Sequence, residues 1–292
     1  MADFLAISFG GRAMVFREPL EEIIRRRYSV RTYNGKPIQK QVQEEIVEYI
    51  KSLSSPFPAK PSFKLIETDL SEGGARLGTY GMIKNASYYI VSQVTDEPYA
   101  IEALGYELEK LILFLTTLNL GTCWLGGTFK RSEIWRALGE SERAFIPAIT
   151  PVGYYERKDL RENLIRGLVR ADSRKPWETL FFDGDFRALL TPEKAGHYAF
   201  PLEMVRLGPS ASNKQPWRLV RESGRYHFFE QKTPRYSDMF NFDMQSIDMG
   251  IAACHFHLAA MEKGLGGKFE LDAAPQLALP ENTVYKFSWI PD

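Results

Sequence analysis

Apolar positions recur along this chain at two spacings, and the switch from one to the other marks out helices and strands. Residues 39–53, QKQVQEEIVEYIKSL, put Val42, Ile46, Val47, Ile50 and Leu53 on one face, the pattern of an amphipathic helix. Residues 19–27, PLEEIIRRR, predict a shorter helix. Proline opens it, acids fill its first turn and arginines close it, which complements the helix dipole at both ends. SVRTYNGKPI then reads as a turn or extended connector, punctuated by Asn34-Gly35 and Pro37. SFKLIET and ASYYIVSQV, rich in aromatic and β-branched residues, predict strands. Residues 101–118, IEALGYELEKLILFLTTL, are helical and nearly apolar in their second half, so they predict a deeply buried helix. Beyond them, RSEIWRALG predicts a short helix, AITPVGYYE a strand and turn, and SRKPWETLFF a helix-like segment. RLVRES and RYHFFEQ predict two strands, residues from 247 to 263 a second buried helix, and VYKFSWI a closing strand.

The two buried helices resemble each other. LGYELEKLILFLTTLNLG (104–121) and MGIAACHFHLAAMEKGLG (249–266) each carry a glycine near the helix start, a second glycine sixteen positions on and a Leu-Gly end. A C-cap glycine accounts for part of that match through helix physics alone. The similar strands before each helix and the closing strands point further, to an internal duplication. A repeat of half the chain suggests a fused pair and not a solenoid. The expected organisation is an N-terminal half over 18–175 and a C-terminal half over 176–292, interlocked into one unit.

Composition narrows the classes. A chain of 292 residues fits one large or two modest domains, and 44% apolar with 25% charged residues is ordinary for a globular protein. The 37 basic and 37 acidic side chains cancel, which argues against a general nucleic-acid or anionic-membrane binder. Two cysteines without CxxC spacing argue against zinc and against a disulfide framework, and suit a cytoplasmic protein. No long apolar run suggests a membrane span, and the first residues do not read as a signal peptide. His255 and His257 sit two apart on a helix and so face different directions, and Cys123 reads as a packed residue.

Three stretches carry the chemistry. RRRYSVR concentrates Arg25, Arg26, Arg27 and Arg31 within seven positions. GTCWLGG (121–127) is a glycine-rich exit from the first buried helix. PSASNKQPW (209–217) is too irregular for a helix and too proline-bounded for a central strand, so it reads as a loop with its polar groups aimed at something. Arg-x-Ser-x-Arg, the glycine-rich exit and Pro-Ser-x-x-Asn-x-Gln-Pro-Trp together, with SRKPWETL, resemble the FMN-dependent nitroreductase family.

The resemblance implies an α+β fold: a mixed, mostly antiparallel sheet flanked by helices, with two interlocked half-repeats forming a pseudo-dimer. Members of that family resemble intertwined homodimers whose flavin sites take the arginine segment from one subunit and the Pro-Ser-Asn loop from the other. They carry the loop shortly after the arginine segment. Here it stands more than half the chain later, and the early place is taken by SSPFPAKPSF. A fused duplication accounts for this: the first half kept one set of residues and the second half the other. The resemblance implies that Arg27, Tyr28 and Ser29 hold the FMN phosphate, with Arg174 and Lys175 closing that end, as suits guanidinium groups facing a phosphate. It implies Arg31 at the N1/O2 edge of the ring, where a cation stabilises the reduced flavin. Leu125, Gly126 and Gly127 are expected to bring backbone N–H groups near N5. Pro209, Ser210, Ala211, Ser212 and Asn213 are expected on ring or ribityl oxygens, with Tyr80 and Gly81 as further contacts. No catalytic side chain and no metal is implied.

The activity implied is a ping-pong reaction in which NAD(P)H reduces the flavin at N5 and a small electron-poor acceptor, a nitroaromatic or quinone, then leaves reduced. Two rivals carry the same motifs: a relative with different flavin chemistry, such as reductive dehalogenation or alkene reduction, and a non-enzymatic flavin binder. A chain that mimics a dimer can act as a monomer.

Overall fold

The computed structural model describes residues 7–9, 12–14, 16–68, 78–139, 145–156 and 173–292. The chain divides into two compact units. One is Arg26–Asp172, called here the N-half unit; the other joins Met1–Arg25 to Ser173–Asp292 and is called the C-half unit. A short antiparallel pair, β1 (Ile7–Phe9) and β2 (Arg12–Met14), precedes α1 (Leu20–Arg26). Leu20, Ile23 and Ile24 make the buried stripe of α1. The Leu20 N–H at its start donates to the Glu262 carboxylate at 2.8 Å, which satisfies one of the amides a helix start leaves open.

In the N-half unit, α2 (Lys40–Lys51) leads to β3 (Ser62–Glu67), β4 (Tyr88–Gln93), α3 (Ala100–Thr117), β5 (Gly121–Thr122), α4 (Arg131–Leu138) and β6 (Ile149–Gly153). The sheet runs β3-β4-β6-β5, antiparallel throughout. The stripe of α2 is narrower than the sequence pattern: Ile46 and Tyr49 are buried while Val47 is 39% exposed. Tyr49 wins the inward place by stacking on Phe114 of α3, with ring centroids 3.8 Å apart. Val30, Tyr33, Tyr89, Val91, Cys123, Leu125 and Ile149 share a core cluster, so Cys123 is a packing residue.

In the C-half unit, β7 (Phe181–Asp183), β8 (Asp185–Leu189), α5 (Pro192–Ala195) and α6 (Ala199–Leu207) precede β9 (Trp217–Glu222) and β10 (Arg225–Gln231). Then come α7 (Gln245–Glu262), β11 (Gly267–Glu270) and β12 (Thr283–Pro291). The sheet runs β11-β12-β10-β9-β7-β8, with only β7 and β9 parallel. Phe228, Phe256, Phe287 and Trp289 are fully buried and meet edge-on or tilted, with centroids within 5.6 Å along the chain of contacts. SRKPWETLFF is not a helix. A single 3₁₀ turn at Trp177–Thr179 precedes β7, because Leu180 and Phe181 are fully buried and the backbone is drawn into pairing with β9.

The two units repeat one topology. Each has helix, strand, strand, helix, strand, strand, save that α4 stands between the last two strands of the N-half unit, and β3-β4-β6-β5 corresponds to β9-β10-β12-β11 in strand order and antiparallel sense. β3 opens its pairing with Ser62 opposite Gln93; β9 opens with Trp217 opposite Glu230. α3 and α7 are both 18 residues long. They end alike: Leu120 N–H donates to Leu115 O at 3.0 Å and Leu265 N–H to Ala260 O at 2.9 Å, past left-handed residues Asn119 and Gly264. Among the described residues, no helix is long and apolar enough to cross a membrane.

Candidate functional site

The residues singled out by the sequence fall into two groups, one in each unit. In the N-half unit the segment from Arg27 to Tyr33 runs as an extended strap. Val30 N–H donates to Thr122 O at 2.8 Å, Lys84 N–H donates to Arg31 O at 2.8 Å, and Tyr33 N–H donates to Lys84 O at 3.0 Å. The strap is thereby fixed between β5 and the turn at Thr79–Lys84. Gly121 permits the approach: a Cβ there would stand 2.7 Å from the Tyr155 ring and 2.8 Å from Val30. The structure therefore brings Arg31 beside the turn that carries Tyr80 and Gly81, both left-handed in backbone, with Tyr80 68% exposed. Tyr28 meets Tyr155 edge-on at 5.4 Å. The Arg27 Nε is buried and has no hydrogen-bond partner among the described residues.

Leu125 is a core residue, and its N–H already donates to Ile149 O at 3.0 Å. Of the three backbone groups expected near a ring, that one is in use within the fold. Gly126 follows, its carbonyl held by Arg131 at 3.3 Å.

In the C-half unit the loop from Pro209 to Pro216 is strained and tightly held. Ser212, Asn213 and Gln215 have φ of 48°, 54° and 48°, the left-handed region that side chains disfavour. Such a backbone persists only where surrounding contacts determine it. Here Gln215 N–H donates to Ser210 Oγ at 2.8 Å, and Gln215 Nε2 donates to Asn213 Oδ1 at 3.1 Å. Lys175 N–H donates to Gln215 Oε1 at 2.7 Å, and Asn213 Nδ2 donates to Ser173 O at 3.0 Å. Ser212 Oγ and Tyr236 Oη lie 2.9 Å apart, and Ala211 N–H donates to Asp248 Oδ1 at 2.9 Å. Trp217 is fully buried and anchors the loop's exit into β9.

The late Arg-Lys pair splits in role. Arg174 donates through Nε and Nη2 to Leu207 O at 3.1 and 3.0 Å, a cation placed at the C-terminus of α6. Lys175 Nζ and Arg218 Nη1 both donate to Gln215 O, at 3.3 and 3.0 Å. Lys175, Lys214 and Arg218 have no carboxylate partner among the described residues. Burial, then the neighbouring Arg218 and Lys214, push the Lys175 amine down to about 8. Cations crowded in this way lack an anion.

Gln215, Tyr236, Lys214, Arg218 and Asp248 were not singled out from the sequence as site residues. Gln215 lay inside the motif and was legible there. Tyr236 and Asp248 lie on other elements, and only the folded chain shows that they hold the loop. Among the described residues, no group of three His, Cys, Asp or Glu could hold a metal ion.

The family model described as "Putative TM nitroreductase" matches residues 19–260. The crystal structure of a "putative nitroreductase" from Thermotoga maritima is similar over 97% of this chain and 99% of that one, at 20% identity and a TM-score of 0.59. A nitroreductase family protein from Clostridium novyi NT matches 50% of this chain and 91% of its own, at 17% identity and a TM-score of 0.38. An FMN-dependent nitroreductase from Clostridium difficile R20291 matches 47% and 88%, at 20% identity and a TM-score of 0.37. No curated protein matches the chain.

Proposed function

Because the chain belongs to the nitroreductase family described as "Putative TM nitroreductase", we propose that it is an FMN-dependent NAD(P)H oxidoreductase acting on nitroaromatics, quinones or similar electron-poor acceptors. The observation that carries this reading is the surplus of cationic donors. Arg27 is half-buried with its Nε buried and unpartnered, Lys175 and Arg218 converge on the Gln215 carbonyl with Lys214 beside the Tyr236 ring, and the last three have no carboxylate partner among the described residues. A phosphate dianion is the ligand such donors suit. The residues present therefore fit FMN.

In this reading Arg27 and Ser29 bind the phosphate together with Lys175, and the Arg31 guanidinium stands at the N1/O2 edge as a fixed positive charge. Ser210 accepts from Gln215 N–H and keeps its own hydroxyl proton to donate, so it and Asn213 orient the ring or ribityl chain. Gly126 and Gly127 let the backbone come close beside N5, with Tyr80 and Gly81 nearby. FMN, when bound, supplies two-electron transfer from NAD(P)H to the acceptor. The two units derive from one duplicated half, which their shared order of elements and strand order support. One composite flavin is expected per chain, in a monomer working in the cytoplasm; two buried free cysteines suit that compartment.

The visible spectrum of the purified chain, with quantified released flavin, tests this. One FMN per chain with acceptor-dependent NAD(P)H oxidation supports it. Two per chain would refute the composite site. No flavin uptake would refute the activity. Flavin uptake without NAD(P)H oxidation would move the function to flavin binding, and acceptor profiling separates nitro or quinone reduction from dehalogenation and alkene reduction.

A further inference from the structure

The strained loop depends on a residue outside it. Asp248 is the fourth residue of α7, only 1% exposed, and its Oδ1 accepts the Ala211 N–H at 2.9 Å. Its Oδ2 is buried and has no partner among the described residues. A buried carboxyl with a single hydrogen bond is costly, and the loop amide is its one hydrogen-bond partner among the described residues; one turn away on the same helix face lie Met244, Gln245, Ile251 and Ala252.

The other half of the molecule supplies the control. α3 is the counterpart of α7, and its fourth residue is Ala103. The stretch before β3, the counterpart of the loop, keeps a proline (Pro61, at the place of Pro216) but has no asparagine, glutamine or tryptophan. Phe57 is buried there against Tyr99 and Tyr106. The acid and the polar loop thus occur together in one half, and both are missing from the other.

We infer that Asp248 is a positioning residue for the flavin loop: by accepting the Ala211 N–H it holds the backbone from Ser210 to Gln215 in its left-handed conformation and so presents Ser210 and Asn213. What the loop is for rests on the flavin reading; that Asp248 holds it does not. Burial, with Glu230 and Asp243 nearby, pushes the Asp248 carboxyl well above the ordinary carboxylate range. An amide can do the same work, and an apolar side chain cannot.

The test uses the full chain with Asp248→Asn, Asp248→Leu and Ala211→Pro. The last variant deletes the donor instead of the acceptor. Proline suits that place because Ser210 before it is already extended, at φ −149° and ψ 158°. Hydrogen exchange of the peptide spanning residues 207–216 is measured without flavin, and FMN affinity by titration. Losing one buried hydrogen bond is expected to speed exchange of the loop amides on the order of ten-fold and to weaken FMN by a similar factor in the Leu variant. The Asn variant is expected to stay within about two-fold of the parent in both, since it keeps the acceptor. The Pro variant is expected to match the Leu variant in FMN affinity. Unchanged loop exchange in the Leu variant would overturn the inference. So would faster exchange spread evenly through β9, β10 and α7, or an Asn variant as damaged as the Leu variant. If even the parent takes no FMN, the flavin reading falls while the exchange data still decide whether Asp248 holds the loop.

Discussion

The two halves share a topology and differ in what stands at its loops and buried polar positions. β3 opens with Ser62 opposite Gln93; β9 opens with Trp217 opposite a fully buried Glu230. Before β3 the chain packs Phe57 inward, whereas before β9 it holds the polar loop in left-handed backbone. The arginine strap lies in the unit that lacks the loop, and the loop lies in the unit that lacks the strap. The comparison teaches that one apolar pattern sets the scaffold common to both units, while the place before the first strand holds an aromatic core in one and a polar loop in the other.

Four experiments break or sharpen that comparison. Trp217→Ser gives β9 the residue β3 has at the same register position. It is expected to cost about 3–5 kcal/mol in denaturant unfolding, because a fully buried indole leaves a large cavity. The reverse change at Ser62, an exposed edge position, is expected to stay within about 0.5 kcal/mol. Next comes Arg27→Ala, expected to weaken FMN roughly 10- to 100-fold by removing a charge-assisted contact. Substituting Phe57 by Ala should leave FMN affinity unchanged, and a titration of both variants checks the contrast.

Gly121 and Gly266 close the two equivalent helix exits. Gly121→Ala is expected to cost about 1–3 kcal/mol, since its Cβ would meet the packed Tyr155 and Val30. Gly266→Ala would meet only the movable Asp292 carboxylate and is expected to cost under about 1 kcal/mol, a difference that thermal melts resolve. The last effect concerns pH. Burial raises Glu230 from its ordinary 4.5 to about 7 despite Lys286 at 3.4 Å. The folded state then holds a proton that the unfolded state releases, so this contribution is full below pH 4.5 and is lost as pH rises to about 7. Glu230→Gln is expected to flatten the stability profile over that window relative to the parent, by up to about 3 kcal/mol. Glu107, also raised to about 7 by burial on α3, is left to titrate as the internal reference.

Much of this was legible in the chain. The periodicities located α1, α2 and α4 by an apolar stripe, α3 and α7 by their nearly unbroken apolar runs, and half of the twelve strands among the described residues. The arginine strap and the loop were legible because unusual residue types cluster there. Val47 was misjudged because helical spacing cannot tell which of two adjacent apolar residues a neighbouring ring will claim. SRKPWETLFF misled because strand pairing with β9, a long-range contact, overrides local spacing. Asp248 carried no local signal: a single acid in a buried helix gains meaning only from the amide it meets 37 residues away in sequence.

The hydrogen bond between Leu20 and Glu262 spans 242 residues. The N-half unit is an uninterrupted run, so on the ribosome it can finish folding while the rest is still being translated. The C-half unit cannot: its opening segment must wait until α7 has been made, which at about 5–20 residues per second takes roughly 12–50 seconds. Through that interval the apolar face of α1 has nothing of its own unit to cover it. Chaperone dependence and aggregation during expression should therefore track the first twenty-five residues and the C-half unit, and a chain permuted to begin at Ser173 should need less help.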